Sequence, residues 1–313
     1  PQEGILKNMS AIIDISLATV PLVAAPEKKK ALSDYIEALT MCGVNFFEIS
    51  PGVLPLLEGE DLSKRFIMRI SNLSDLILCR DIEFAYISLP MRLSGFFKEL
   101  SARSRIIAEV NADKYSAHAM LLYASSEKFS PYISMIRLIS GSVSTDGKDM
   151  TELVSFFRRH SMTPIDICPL NNQMTGFISA VGALKANADA VTLAYGCDYH
   201  YSSLEDFYIN SNIMRRTFMP KEILTGICKA SMAFLELFEK APCGIEKMGE
   251  LEKRIDAPVF DIARGTRYFP YRASKQGENQ PAEAVKRKIK DLGYDEQTEE
   301  YILELLRKAR LMN

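Results

Sequence analysis

The sequence predicts a (β/α)₈ barrel followed by a helical tail. Two features carry this: eight short apolar runs recur through the first two thirds of the 313 residues, and segments of helical periodicity separate them. A third is an absence, since no glycine-rich phosphate loop follows the first run. Alternating strands and helices make a parallel α/β architecture, and eight such units with right-handed crossovers can close into a barrel.

The runs fall at 12–17, 46–50, 66–70, 84–89, 106–110, 135–139, 164–170 and 190–195. Each is nearly continuous in apolar character, as parallel strands covered on both faces require. The intervening helices follow from spacing. Residues 29–41 carry Leu32, Ile36, Ala38 and Leu39 on one side, with Lys28 to Lys30 and Asp34 outside. Residues 149–159 place Leu153, Val154, Phe156 and Phe157 similarly, and 175–186 is rich in Ala, Gly and Ile. After the eighth run, Pro220 suits the first turn of a helix to about residue 239. A basic loop at 264–280, with Arg264, Arg267, Arg272 and Lys275, reads as solvated charge. Helices at 281–292 and 296–311 close the chain, with Gly293 as the stop between them. The domain expectation is a barrel over 1–240 and a helical extension over 241–313.

The rival architecture is a doubly wound open sheet. It would place glycines after the first strand, where this chain has Ala18-Thr19-Val20-Pro21-Leu22, and neither GxGxxG nor GxxxxGK[ST] occurs.

Composition excludes several function classes. Hydrophobic residues make up 47% and charged residues 25%, ordinary for a globular chain able to bury a large core. A net charge of −2 gives no basic field for nucleic acid or an anionic membrane surface. The six cysteines form no CxxC pair and lie mostly in apolar stretches, the pattern of reduced thiols in a cytoplasmic protein. Residues 9–25 have the outline of a signal peptide, but Asp14 and Pro21 interrupt it. No stretch reaches the ~20 uncharged apolar residues of a membrane span.

Barrel chemistry belongs at the C-terminal ends of the strands. There the chain offers Asp14, then Glu48-Ile49-Ser50-Pro51, then Asp166-Ile167-Cys168-Pro169-Leu170-Asn171-Asn172, then Tyr195-Gly196-Cys197-Asp198-Tyr199-His200. Asp14 within a strand needs a partner. Hydrogen bonds from loop amides are the favoured explanation, and a metal or substrate ligand is the sharper one. Of the three histidines, His118 and His160 fall on helices, and His200 alone is placed for acid–base work. Cys168 and Cys197 end adjacent strands and are candidates for a thiol pair, a soft-metal site or a nucleophile with His200, with buried structural cysteine the common outcome.

Several blocks, in order, resemble the family of 2-isopropylmalate synthase, homocitrate synthase, citramalate synthase and 3-hydroxy-3-methylglutaryl-CoA (HMG-CoA) lyase. Ile12-Ile13-Asp14-Ile15-Ser16-Leu17 is similar to the opening D-T-T-L-R-D-G strand, and Gly43-Val44-Asn45-Phe46-Phe47-Glu48-Ile49-Ser50-Pro51 to G-V-x-x-I-E-x-x-P. Residues 164–190 resemble the H-x-H-N-D-x-G block, with Asn171, Gly176, Ala183 and Leu184 in register. Ser203-Leu204-Glu205 resembles P-L-E, and 284–293 resembles the tail helix.

The resemblance implies a divalent-metal enzyme that condenses or cleaves an acyl-CoA and a 2-oxo acid, with the metal as Lewis acid and a nearby arginine stabilising the enolate. Asp14 takes the metal-carboxylate position. The arginine and second aspartate positions hold Ala18 and Thr19, the paired histidines Cys168 and Leu170, and the aspartate Asn172. The G-x-G-E-R-x-G-N loop is replaced by residues 194–201. Leucine cannot ligate a metal, and alanine cannot stabilise an enolate.

Three expectations follow. The first is a non-catalytic relative, a partner or regulatory subunit forming a homodimer or a hetero-oligomer with a related chain. The second is a rebuilt site in which Glu48, Cys168, Asp198 or His200 supply new acid–base or nucleophilic chemistry; in the first as in the second, Asn171, Asn172 and Tyr195 are the candidates to hold a small carboxylic acid in the old pocket. The third is retained acyl-CoA chemistry without the usual metal. Tyr195, Tyr199 and Tyr201, around the exit of the eighth strand, are candidates to fill the former site.

Overall fold

The computed structural model describes residues 10–20, 22–113, 117–126, 128–140, 148–170, 176–196, 201–205, 207–208 and 221–239. The tail helices at 281–292 and 296–311 and the basic loop at 264–280 lie outside these residues. The described chain forms two compact units, one of residues up to Pro26 together with Val44–Leu204, the other of Glu27–Gly43 together with the described residues from Glu205 onward.

In chain order the elements are β1 (Ala11–Asp14), α1 (Ser16–Thr19), α2 (Lys28–Met41), β2 (Phe46–Ile49), α3 (Leu62–Arg65), β3 (Phe66–Arg69), α4 (Leu73–Cys79), β4 (Tyr86–Pro90), α5 (Phe97–Leu100), β5 (Arg105–Asn111), α6 (Ala117–Ser125), β6 (Ile133–Ser140), α7 (Lys148–His160), β7 (Ile165–Pro169), α8 (Gly176–Lys185), β8 (Ala190–Leu193) and α9 (Lys221–Phe238). All eight strands pair in parallel in sequence order, and β8 closes on β1. The barrel expected from the sequence is therefore the fold of the first unit.

Strand boundaries shift from the sequence reading by up to three residues, and two of these shifts have a clear local reason. The first strand stops at Asp14 rather than residue 17, because the Asp14 carboxylate accepts the Ser16 N–H at 3.2 Å in a local turn just before α1. The fourth strand starts at Tyr86 rather than residue 84, since the Phe84 N–H is taken by the Ser104 hydroxyl at 2.9 Å instead of the ladder. Caps fix the crossovers as well. Asn72 and Asp75 form a reciprocal capping box on α4, and Asp61 caps α3.

The strands' inward residues form two stacked layers. The lower one is apolar: Ile13, Ile67, Ile107, Met135 and Ala190, with Ala11, Phe46 and Tyr86 packed against them. Side chains alternate across a strand, so the next inward residue lies two further on. That step gives Ile15, Glu48, Arg69, Ser88, Glu109, Arg137 and Thr192, with Asp166 at the same level on β7. The second layer is almost wholly polar.

In the second unit α2 and α9 pack against each other. Tyr35 and Phe234 approach to 6.2 Å between ring centroids, Lys28 pairs with Glu239 at 2.9 Å, and the Cys42 thiol donates to the Ile223 carbonyl at 3.4 Å. Gly226 is required by this closeness, since a Cβ there would lie 2.4 Å from Cys42 Sγ and 2.8 Å from the Ala38 carbonyl oxygen. Among the described residues, no helix is long and apolar enough to cross a membrane.

Candidate functional site

The polar layer is centred on Arg137, whose side chain is wholly buried. Its Nε donates to Asp166 Oδ2 at 2.5 Å, and its Nη1 donates to Glu48 Oε2. The same Nη1 lies 3.3 Å from Ser88 Oγ and 3.4 Å from Glu109 Oε1. Thr192 donates its hydroxyl to Asp166 at 2.8 Å, and Ser88 donates to Glu109 at 2.9 Å. Arg69 stands at the edge, with Nε 3.5 Å from Glu109 and 3.8 Å from Glu48. Two guanidinium groups thus meet three carboxylates, a net charge of −1 when all are ionised.

Burial alone would lower the Arg137 pKa, but Glu48, Asp166 and Glu109 outweigh it and hold the group well above its ordinary value. Glu48 goes the other way for a carboxylate. Burial, helped by Glu109, pushes it up, against the pull of Arg137 and Arg69. Two atoms of the layer lack a hydrogen-bond partner, Glu48 Oε1 and Arg137 Nη2. Cys168, two residues beyond Asp166 on the same face of β7, is buried, and its thiol is raised by burial.

The sequence-derived candidates separate into three groups. Glu48 and Cys168 meet around Arg137. Asp14 and Tyr195 meet at Ser16: the Ser16 hydroxyl lies 2.6 Å from Asp14 Oδ1 and accepts the Tyr195 N–H at 2.6 Å. Because Ile13 belongs to the inward layer, Asp14 faces the other side of β1. Asn171, Asn172, Asp198 and His200 lie outside the described residues, as does Cys197, the proposed partner of Cys168. Residue-level reasoning gave no role to Arg69, Glu109 or Arg137. The signal available was one ionisable residue, of alternating sign, within each of several otherwise apolar runs.

This donor set does not fit a divalent metal. The three carboxylates are spread around a guanidinium that already pairs with each of them, and a dication beside a buried arginine would be repelled. Leu170, at a position where the resemblance would have an imidazole, pairs its backbone with Tyr201 instead. Among the described residues, no group of three or more His, Cys, Asp or Glu side chains is arranged to hold a metal ion.

No protein-family model matches the sequence, and no curated protein matches it. Solved structures do. An HMG-CoA lyase of Bacillus subtilis is 13% identical with a TM-score of 0.56, over 76% of this chain and 98% of that one. An HMG-CoA lyase of Acinetobacter baumannii, solved with coenzyme A and 3-methylmalate, is 14% identical with a TM-score of 0.56, over 77% and 95%. A hydroxymethylglutaryl-CoA lyase of Pseudomonas aeruginosa is 10% identical with a TM-score of 0.54, over 78% and 98%. The fold is that of HMG-CoA lyase-like barrels.

Proposed function

We propose that this protein is a diverged lyase- and synthase-like barrel that works without a divalent metal at its axis, as a non-catalytic partner or regulatory subunit. One observation supports the reading above the others. Arg137 occupies the barrel axis and engages Glu48, Glu109 and Asp166 together. Carboxylates in that position are the groups a cation would use, and here an arginine from the chain itself uses them. The natural partner is a second barrel, either another copy or a related chain, and the protein belongs in the cytoplasm.

A second reading, an acyl-CoA and 2-oxo acid lyase or condensing enzyme with a rebuilt site, draws on Glu48. A carboxyl whose pKa burial raises above the ordinary carboxylate value, with one oxygen lacking a hydrogen-bond donor, has the properties of a general acid–base group.

Protein purified without chelator should contain no stoichiometric magnesium, manganese or zinc, and should neither cleave nor condense an acyl-CoA with a 2-oxo acid. Stoichiometric metal lost in Asp14→Asn would restore the metal enzyme. Metal-free turnover abolished by Glu48→Gln would establish the second reading.

A further inference from the structure

Residues 201–204, after β8, run along the rim of the barrel mouth. Ser202 donates its N–H to the Pro169 carbonyl at the end of β7, and both the Ala194 N–H to the Ser202 carbonyl and the Leu204 N–H to the Ala194 carbonyl close at 3.0 Å. Tyr201 pairs antiparallel with Leu170, and Ser203 pairs parallel with Ala194. This short strap is thereby stitched to the ends of two neighbouring strands. From it the Tyr201 ring reaches to Arg69 on β3, whose Nη1 donates to the phenol oxygen at 3.3 Å. In the closed strand order β3 and β7 stand on opposite sides of the barrel. The Tyr201 and Arg69 side chains therefore together bridge the mouth, within electrostatic reach of Cys168 and Glu109.

We infer that Tyr201 is a hinged plug that seals the charged interior against solvent and small ligands, with Arg69 as its latch. The anchoring hydrogen bonds of the strap are made by backbone atoms, so the ring can swing about its side-chain torsions while they stay closed. Its latch is a bond to a neutral phenol, weaker than a bond to a carboxylate and so one that can be released. With the ring in place the ion pairs beneath lie in a low-dielectric, water-poor space where they are strong. With the ring out, the mouth has room for one aromatic ring bearing a hydroxyl. A phenol supplied in trans is the chemical class that matches both the space and the latch. The inference rests on the interior being the ion-pair lattice described under the proposed function. Its test reads thiol access rather than metal or turnover, so the two can fail separately.

Maleimide labelling of the full chain, with modified cysteines located by peptide mass spectrometry, tests it. Cys168 is buried within electrostatic reach of the Tyr201 phenol, while Cys42 and Cys79 are buried elsewhere and serve as controls. In Tyr201→Ala, Cys168 labelling should accelerate about tenfold or more, local opening setting the rate. Cys42 and Cys79 should not change. Added p-cresol should restore protection of Cys168, and toluene should do so less well. Tyr201→Phe keeps the ring and loses the hydroxyl that Arg69 holds, and should accelerate Cys168 by about threefold, again through local opening. If the alanine variant does not fold, this variant alone carries the test. Cys168 as slow in Tyr201→Phe and Tyr201→Ala as in the wild type would overturn the plug. Acceleration of all three cysteines in step would also overturn it, because Tyr201 would then be holding the fold. Equal protection by toluene and p-cresol would remove Arg69 as the latch.

Discussion

The lower and upper layers of the barrel interior lie two residues apart on the same strands, yet they are held by opposite means. Ile67 becomes Arg69, Ile107 becomes Glu109 and Met135 becomes Arg137 in one step along each strand. The lower layer is stabilised by burial of apolar surface, a non-directional effect that each side chain contributes separately. The upper layer has no such independence. Each buried charge is tolerable only while its partners remain, so the layer behaves as one object centred on Arg137. The lower layer makes the barrel a packed core, and the upper layer sets the charge at the barrel axis.

The largest expected effect is in the upper layer. Arg137→Ala leaves Glu48 and Glu109 with Arg69 alone and takes from Asp166 its guanidinium, and should cost about 3–5 kcal/mol by urea denaturation at neutral pH. That cost should shrink in acid, where the unpaired carboxyls take up protons. Ile107→Ala, in the lower layer, should cost about 3 kcal/mol through lost burial and a cavity, with little dependence on pH. An equal pH dependence in both variants would dissolve the distinction between the layers. Thr192→Val removes the hydroxyl that donates to Asp166 while keeping the shape, and should cost about 1–2 kcal/mol.

The smallest effect concerns Glu48 and is a slope. Its folded pKa is raised above the ordinary carboxylate value, so the stability linked to its neutral form is complete below that ordinary value and is lost as pH rises through the folded one. Glu48→Gln should flatten this decline in urea melts followed upward in pH from the ordinary carboxylate value, where a single group contributes at most about 1.4 kcal/mol per pH unit. An unchanged slope would assign the titration to another group.

Much of the barrel was legible because its signal is local. All eight apolar runs are strands, and the helices at 29–41, 149–159, 175–186 and 220–239 are α2, α7, α8 and α9 to within a residue or two. The errors at Leu17 and Phe84 arose where a single side-chain hydrogen bond, from Asp14 or Ser104, diverted the backbone from the ladder. The site was less legible, because its meaning lies in pairing across the barrel. Glu48 and Arg137 are 89 residues apart in sequence, and Arg69 and Tyr201 are 132 apart. Reading each run as uniformly apolar hid Arg69, Glu109 and Arg137, whose charges matter only once the sheet has closed. Asp14 drew attention as a carboxylate in a strand, and its bond to Ser16 is of the local kind that the residue alone favoured.

The measurement that tests the account most directly is a double-mutant cycle between Arg137 and Asp166, using Arg137→Ala, Asp166→Ala and the double variant in urea denaturation. If Arg137 is the centre of one interdependent layer, the two changes should be strongly non-additive, with a coupling of about 2 kcal/mol or more and a double variant little worse than Arg137→Ala alone. Losses that add to within about 0.5 kcal/mol would contradict it, because the two residues would then be acting independently.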